Sequence, residues 1–522
     1  MYAYNLGIFF QNIVNNHSEK IAIIFEDNSQ VSYNELNSFS NQLARYFLDI
    51  GIKKCDVIAI SGEKRLQTFI SMIAALKIGA IYTIFDPKSP VERLKKIFGT
   101  CLPKALIIST SLKEKLSIIA GSLDAKLIID NQIEPNKLGK NFPDGNLDQT
   151  FLITGENPSY IMYTSGSTGI PKGALMTHVN VINFIKWCTV AFKINSEDIL
   201  TNVNPLYFDN AVFDFYGSIF SGASLVPFTH GTATDPQLLI RKIDELKCTS
   251  WFSVPSLLIF LQTMKALRND NLESIKKIIF GGEGYPKAKL KELFDQYSNR
   301  CEFYNVYGPT ECTCMCSSYR LTNDDFNDIS GFPPLGQMAG NFSYLIIDDN
   351  HNLVENGEVG ELCLMGPNVG KGYYNDHERT KESFIQNPFN HNYKEIIYKT
   401  GDLVRYDTDD KKIYIKGRKD HQIKHMGYRI ELEEIENACH SLSYIAEVAL
   451  IHSQKRGFSQ IIAVMSLNYE KAKKDILNDL KNILPDYMMP TIFYFEKKIP
   501  KNSNGKIDRR KLAEKYLNQQ GN

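Results

Sequence analysis

The sequence predicts an α/β fold in more than one domain. Short β-branched runs alternate with helical stretches through most of the chain, the rhythm of parallel strands joined by crossover helices. The 522 residues exceed one ordinary domain, so two to four units are expected. Beyond residue 420 the pattern changes to a compact α+β unit.

Composition narrows the classes. Hydrophobic residues make up 43% and charged residues 23%, an ordinary globular balance. Lys+Arg and Asp+Glu are both 59, so the net charge of zero favours neither nucleic acid nor an anionic membrane as partner. The N-terminus lacks a basic segment followed by a long apolar core, which argues against a signal peptide. Residues 69–85 form the longest apolar stretch, but Lys77 and Gly79 interrupt it, so it reads as a helix then a strand. Ten cysteines without paired spacing suit reduced thiols and a cytoplasmic location. Cys312, Cys314 and Cys316 alternate and would share one face of a strand. Their spacing suits core or pocket residues better than a metal site, which wants a fourth ligand.

The chain opens with helical periodicity, then a strand at 21–25 and a turn at Asp27-Asn28. Ser32 with Glu35 three residues later forms a capping box for the next helix. A strand at 57–60, a helix at 68–77 and a strand at 80–85 give the first β-α-β unit, and 105–108 and 126–129 continue the alternation. The polar stretch 131–148 reads as a loop.

Next comes YTSGSTGIPKG, residues 163–173, behind the apolar run Tyr160-Ile161-Met162-Tyr163. A strand leading into Gly, Ser, Thr and Lys suits a phosphate, since glycines admit close approach, backbone N–H groups form an anion nest and Lys172 adds charge. A flexible surface loop is the plainer reading. Pro171 before Lys172 and Gly173 after it exclude the familiar P-loop. A helix at 179–189 follows, and then NPLYFDNAVFDFYG, in which Asp209 sits among aromatic residues. Asp209 either caps a helix or meets a substrate cation, because an unpaired carboxylate there would be costly. Strands at 250–254 and 278–280 lead to Gly281-Gly282-Glu283, a tight loop. NVYGPTE, GELCLMGPNVGKGYYND, YKTGDL, GRKDHQIKHMGYRIELEEIE and NGKID come later, in that order. His421 and His425 are spaced i, i+4 but lack a third ligand, so both read as surface residues. The closing unit carries a helix at 431–439, strands at 447–451 and 461–465 and a helix at 471–483.

Residues 163–173 resemble the signature loop of the adenylate-forming enzymes, a group that includes acyl-CoA synthetases, luciferases and the amino-acid adenylation domains of nonribosomal peptide synthetases. VSYNEL, LKIGAIYTIFD and the later stretches resemble that family's other motifs, in order from residue 31 to residue 510. The nearest likeness is to a free-standing amino-acid adenylating ligase, similar to peptide-synthetase adenylation domains and D-alanine–carrier protein ligases.

The resemblance implies a large α/β region of several sheets with flanking helices, residues 1–419, and a small mobile α+β lid, residues 420–522, hinged at Asp420. It implies ATP and Mg²⁺, with Thr164, Ser165, Gly166, Ser167, Thr168, Gly169 and Lys172 around the phosphates. Gly281, Gly282, Glu283, Asn305, Tyr307 and Gly308 would border the base, with Tyr307 stacked on it. Thr310 would stand at the α-phosphate, and Glu311, with Thr168, at the metal. Asp402, Tyr414 and Arg418 would hold the ribose side, and Lys506 would enter the site from the lid to bridge carboxylate and nucleotide.

By the same resemblance, Asp209 would hold the α-amino group of an amino acid. Asn210, Phe213, Phe252, Ile279, Gly281, Val306, Cys314 and Met315 would line its side-chain pocket. That lining resembles those associated with isoleucine and valine, with space beside Gly281 and Cys314. The expected reaction is adenylation with release of pyrophosphate, then transfer to the phosphopantetheine thiol of a separate carrier protein, by a cytoplasmic monomer. Glu433, where the hinge motif often has Gly, and His425-Met426 depart from the pattern on the thiol-transfer side. Three alternatives stand beside this reading: an acyl-CoA synthetase, an amide-forming adenylating ligase, and an inactive nucleotide- or amino-acid-binding protein.

Overall fold

The computed structural model describes residues 2–455, 458–501 and 507–518. It divides into two compact units. The first holds the described residues up to Pro87, then Thr100–Tyr163 and Gly173–Lys419. The second holds Lys88–Gly99, Thr164–Lys172 and the described residues from Asp420 onward. Residues 88–99 and the Gly/Ser-rich loop therefore group with the C-terminal unit, and not with the rest of 1–419.

Among the described residues, the first unit contains sheets of nine, six and five strands. In the six-stranded sheet, Val57–Ser61 lies between Ile81–Phe85 and Ala105–Ile108, parallel to both, with Ile58 opposite Tyr82 and Ala105. Lys126–Ile129 and Pro158–Thr164 extend it in parallel on either side. The nine-stranded sheet runs parallel through Ser250–Ser253, Lys277–Gly281 and Glu302–Tyr307, then turns antiparallel at Ser317–Arg320. These are the crossovers that the β-α-β alternation predicts. The five-stranded sheet, with Val359–Met365 between Ser343–Ile347 and Ile396–Asp407, is antiparallel.

One apolar cluster joins residues of the two larger sheets, such as Ile58, Ile84, Tyr160, Phe252, Ile279 and Val306. Helices Leu66–Ile78 and Asn210–Ile219 contribute to the same cluster, and both are buried on nearly every face. Lys77, in the first of these helices, is fully buried. Its ammonium donates to Asn37 Oδ1, Ser40 Oγ and Asn41 Oδ1, each at 2.7 Å, while burial holds its pKa well below the ordinary value. Local signals place the helix ends. Ser32 and Glu35 close their capping box at Tyr33–Asp49, and Gly79 takes φ 71° to end Leu66–Ile78. The stretch 131–148 is less plain than expected, since it includes helix Pro135–Leu138.

In the second unit, hairpin Gln422–His425 with Tyr428–Glu431 leads into helix Leu432–His440. A sheet of Ile445–Lys455, Phe458–Leu467 and Ile492–Phe495 packs with helices Lys473–Lys481 and Arg509–Asn518 on cores of its own. His425 is not a surface residue. Its strand turns the ring inward, Nδ1 meets Ser459 Oγ at 2.7 Å, and burial lowers its pKa to about 4.

The alternating cysteines do not share a strand face either. Thr310–Cys312 is a 3₁₀ turn, Thr313 and Cys314 take left-handed φ of 61° and 71°, and the strand begins only at Ser317. All three thiols are buried, and among the described residues no group of three His, Cys, Asp or Glu could hold a metal. Of the ten free cysteines, Cys55 is exposed and the other nine are buried. Among the described residues no helix is long and apolar enough to cross a membrane.

Candidate active site

In the first unit, the candidate residues gather at the C-terminal ends of the nine-stranded sheet's parallel strands, the usual place for ligands in such sheets. Asp209 directly precedes helix Asn210–Ile219, but its side chain makes no capping bond. Thr310 Oγ1 instead donates to Asp209 Oδ2 at 2.5 Å. The carboxylate is thus tied to the NVYGPTE loop, which weakens the helix-cap reading. Behind it Phe213, Phe252, Ile279, Val306, Cys314 and Met315 are all buried in one cluster, with the Phe213 and Phe252 rings edge-on at 5.2 Å. Burial and the neighbouring Asp209 carboxylate push the Cys314 thiol well above its ordinary pKa.

Gly281 requires a correction. A Cβ on it would collide with the carbonyl and side chain of Val306 on the neighbouring strand, so the space expected beside Gly281 is filled. Gly282 takes φ 84°, with Asn210 at ordinary contact distance from its Cβ position. Glu283 accepts the Ser256 N–H at 3.1 Å, and Asn305 donates to the Pro334 carbonyl at 2.8 Å. Gly308 leaves room for Met315 Cα, which any side chain would strike.

A second group is built on buried carboxylates. Glu311 is fully buried, and the Tyr373 hydroxyl donates to its Oε1 at 2.7 Å. Asp402, on strand Ile396–Asp407, accepts from the Tyr307 hydroxyl at 2.6 Å on one oxygen and from Arg418 Nη1 at 2.7 Å on the other. The strand pairing puts Asp402 directly opposite Arg418. The residues expected at base and ribose are therefore bonded to one another. Tyr414 is turned aside, its hydroxyl donating to Asp410.

The Gly/Ser-rich loop belongs to the second unit, and its donors are engaged there. Lys172 Nζ pairs with Glu431 Oε1 at 2.9 Å, and the Gly166 N–H donates to Glu434 Oε2 at 3.2 Å. Arg93 pairs with the same Glu434, and both side chains are buried. Ser165 Oγ donates to the Arg429 carbonyl at 2.7 Å and accepts the Glu431 N–H at 3.0 Å. Asn437 donates to the Ser167 carbonyl at 3.0 Å, and Lys96 to that of Gly169 at 2.8 Å. Ser167 and Thr168 are exposed. Two carboxylates thus sit on donors of the kind a phosphate would take. The loop fits an anion in other respects: a Cβ at Gly166 would strike the Ile170 carbonyl, and the Thr164 hydroxyl is buried with no hydrogen-bond partner among the described residues. Lys506 lies outside the described residues.

The AMP-binding enzyme profile matches residues 10–374, and that of the AMP-binding enzyme C-terminal domain matches residues 434–506. The chain belongs to the AMP-binding enzyme family. Gramicidin S synthase 2 of Brevibacillus brevis is 31% identical to it over 506 residues, 97% of this chain and 11% of that protein. Surfactin synthase subunit 3 of Bacillus subtilis (strain 168) is 31% identical over 508 residues, 97% of this chain and 38% of that protein. The chain thus spans well under half the length of these relatives. In fold it is similar to NpsA-ThdA, an artificially fused adenylation-PCP didomain from Klebsiella oxytoca, with a TM-score of 0.82 at 21% identity over 99% of this chain and 97% of that one. Enzymes of this family form adenylates, and they use ATP with Mg²⁺. The donor set fits both, with buried Glu311 as a hard oxygen ligand and the loop's N–H groups and Lys172 for phosphates.

Several residues of the AMP-binding enzyme's site were not legible in advance. Tyr373 stands inside GKGYYND, where only its partner across the fold gives it a role. Glu431 and Glu434 lie in the hinge motif, about 260 residues from the loop that they meet. Asp214 is fully buried, accepting from Asn202 and Asn204 at 2.8 and 3.0 Å, while Asn204 also donates to the Phe252 carbonyl at 3.0 Å. Burial raises the Asp214 pKa and lowers that of nearby Lys64. A second acidic residue five positions after Asp209 was the available signal.

Proposed function

We propose that the chain activates a branched aliphatic amino acid, Ile or Val ahead of Leu, as an aminoacyl adenylate with release of pyrophosphate. It then passes the acyl group to the phosphopantetheine thiol of a separate carrier protein. The observation that carries this reading is Asp209, a carboxylate held by Thr310 at the mouth of an apolar cluster. Such a group suits an α-ammonium whose side chain enters the apolar part, and a fatty acid offers this carboxylate no cation.

In this reading Thr164, Ser165, Ser167, Thr168 and Lys172 take phosphate oxygens, Tyr307 faces the base, and Asp402 with Arg418 receives the ribose. Glu311 would hold Mg²⁺, which would supply positive charge against the triphosphate. The substrate carboxylate is itself the nucleophile at the α-phosphate, so no protein nucleophile is required. Positioning and electrostatic stabilisation carry the reaction. Lys506 bridges carboxylate and nucleotide, so Lys506→Ala lowers adenylation roughly a hundredfold, about 3 kcal/mol, and affects thiol transfer from a supplied adenylate much less.

The test is ATP–pyrophosphate exchange across the amino acids, with fatty and aryl acids as competitors. The expected order is Ile and Val, then Leu, with neighbours separated by about 1–3 kcal/mol per methylene. Asp209→Ala should weaken amino-acid use and leave ATP binding intact. Fastest exchange with a charged or aromatic amino acid would overturn the pocket assignment, and fastest exchange with a fatty acid would overturn the role of Asp209.

A further inference from the structure

We propose that Tyr373 is a positioning residue for Glu311, fixing the carboxylate in the orientation in which it receives the divalent cation. This rests on the reading of Glu311 as the metal-binding carboxylate. The Tyr373 hydroxyl donates to Glu311 Oε1 at 2.7 Å, and both side chains are buried. A buried phenol needs an acceptor, and a peptide carbonyl would serve it for packing alone. Here it takes a carboxylate, whose rotation is thereby set.

The phenol is itself held on two sides. Its segment, residues 368–374, lies against the strand that follows the Gly/Ser-rich loop. Leu175 N–H donates to Gly372 O at 2.9 Å, Lys371 N–H to Leu175 O at 2.9 Å and Tyr374 N–H to Gly173 O at 2.8 Å. Its other side is bonded to the Glu311 turn, with Gly370 N–H donating to Glu311 O at 2.9 Å and Thr313 Oγ1 to Asn368 O at 2.8 Å. Two glycines allow this close fit. A Cβ on Gly370 would strike the Met176 side chain, and one on Gly372, at φ 108°, would strike Thr380. Tyr373 N–H donates to Thr380 Oγ1 at 2.9 Å, and its ring stands edge-on to Phe384 at 5.6 Å. Backbone and side chain of Glu311 are therefore both bonded to one short segment, so a displaced phenol loosens the carboxylate without unmaking the turn. Hydrogen-bond partners of metal-ligating groups commonly set metal affinity in this way.

The test uses the full chain with Mn²⁺ as the paramagnetic probe and a non-hydrolysable ATP analogue, comparing wild type, Tyr373→Phe and Glu311→Gln. Tyr373→Phe keeps the ring against Phe384 and removes one oxygen. The expected result is Mn²⁺ binding to the analogue complex weakened about tenfold. Analogue affinity without metal, amino-acid KM and thermal midpoint should stay close to wild type. Unchanged Mn²⁺ affinity in Tyr373→Phe, with a clear loss in Glu311→Gln, would overturn the role of Tyr373 and leave that of Glu311 standing. No loss in either variant would overturn the reading of Glu311, and this inference with it. A parallel fall in metal, nucleotide and amino-acid binding and in the thermal midpoint would make Tyr373 a packing residue only.

Discussion

His178 begins helix His178–Ala191 with its ring fully buried, and its Nδ1 accepts the Leu6 N–H at 3.1 Å. Burial, with Lys54 a smaller influence, lowers its pKa to about 3. The folded state therefore refuses a proton that the unfolded chain takes near pH 6.5, so the stabilisation is full above that pH and is lost below it. For this one ring the loss should be about 1.4 kcal/mol per pH unit on descending from 6.5 towards 3. Denaturant titrations at stepped pH should show that slope, and His178→Asn should flatten it. Gly281 supports a different expectation. Because its missing side chain faces Val306 on the adjoining strand, Gly281→Leu should cost several kcal/mol of stability before any change of substrate preference, read as a lowered melting temperature. At this scale the sequence is informative wherever chemistry is local. Ser32 and Glu35 announce their own bond three residues apart. Cys312, Cys314 and Cys316 mislead because alternation does not report the sign of φ, and two left-handed residues break the expected strand. His425 misleads because its burial depends on a strand more than thirty residues away.

The elements that form the site differ in how openly the sequence declares them. Strands Lys277–Gly281 and Glu302–Tyr307 are mostly buried and lie between neighbours, and helix Asn210–Ile219 starts inside the motif that holds Asp209. The Gly/Ser-rich loop is legible as an anion loop, yet its engagement by Glu431 and Glu434 is not, because both carboxylates come from a hairpin and helix far along the chain. The engagement carries a prediction. Replacing Glu431 by Gln removes the charge facing Lys172, so inorganic pyrophosphate should bind about fivefold more tightly, roughly 1 kcal/mol, by calorimetry. Unchanged or weaker binding would show that the carboxylate does not compete for the loop.

At the scale of the molecule, the second unit is discontinuous in sequence: residues 88–99 and 164–172 complete what the C-terminal residues begin. Length and pattern announce more than one unit, but no periodicity marks a helix as belonging to a unit that lies more than three hundred residues ahead. Arg93, on one of these excursions, neutralises buried Glu434. Arg93→Ala takes the ion-pair partner from that buried carboxylate and leaves the Gly166 N–H on it, at a cost of about 3–5 kcal/mol. Both tryptophans, Trp187 and Trp251, belong to the first unit, so their fluorescence should keep its transition while circular dichroism gains an earlier one. Coincident transitions for the variant would mean that the two units unfold together.

The single exposed cysteine has a practical consequence. Cys55 lies open to reagents, while the nine other thiols are enclosed, several with burial pushing their pKa up to about 11 or 12. Since the thiolate is the reacting form, a maleimide dye should attach once, rapidly, under native conditions. In strong denaturant it should attach at all ten positions. The interval between those two stoichiometries becomes a clock for opening of the interior, and a dye at Cys55 places a reporter on the intact protein without any engineered residue.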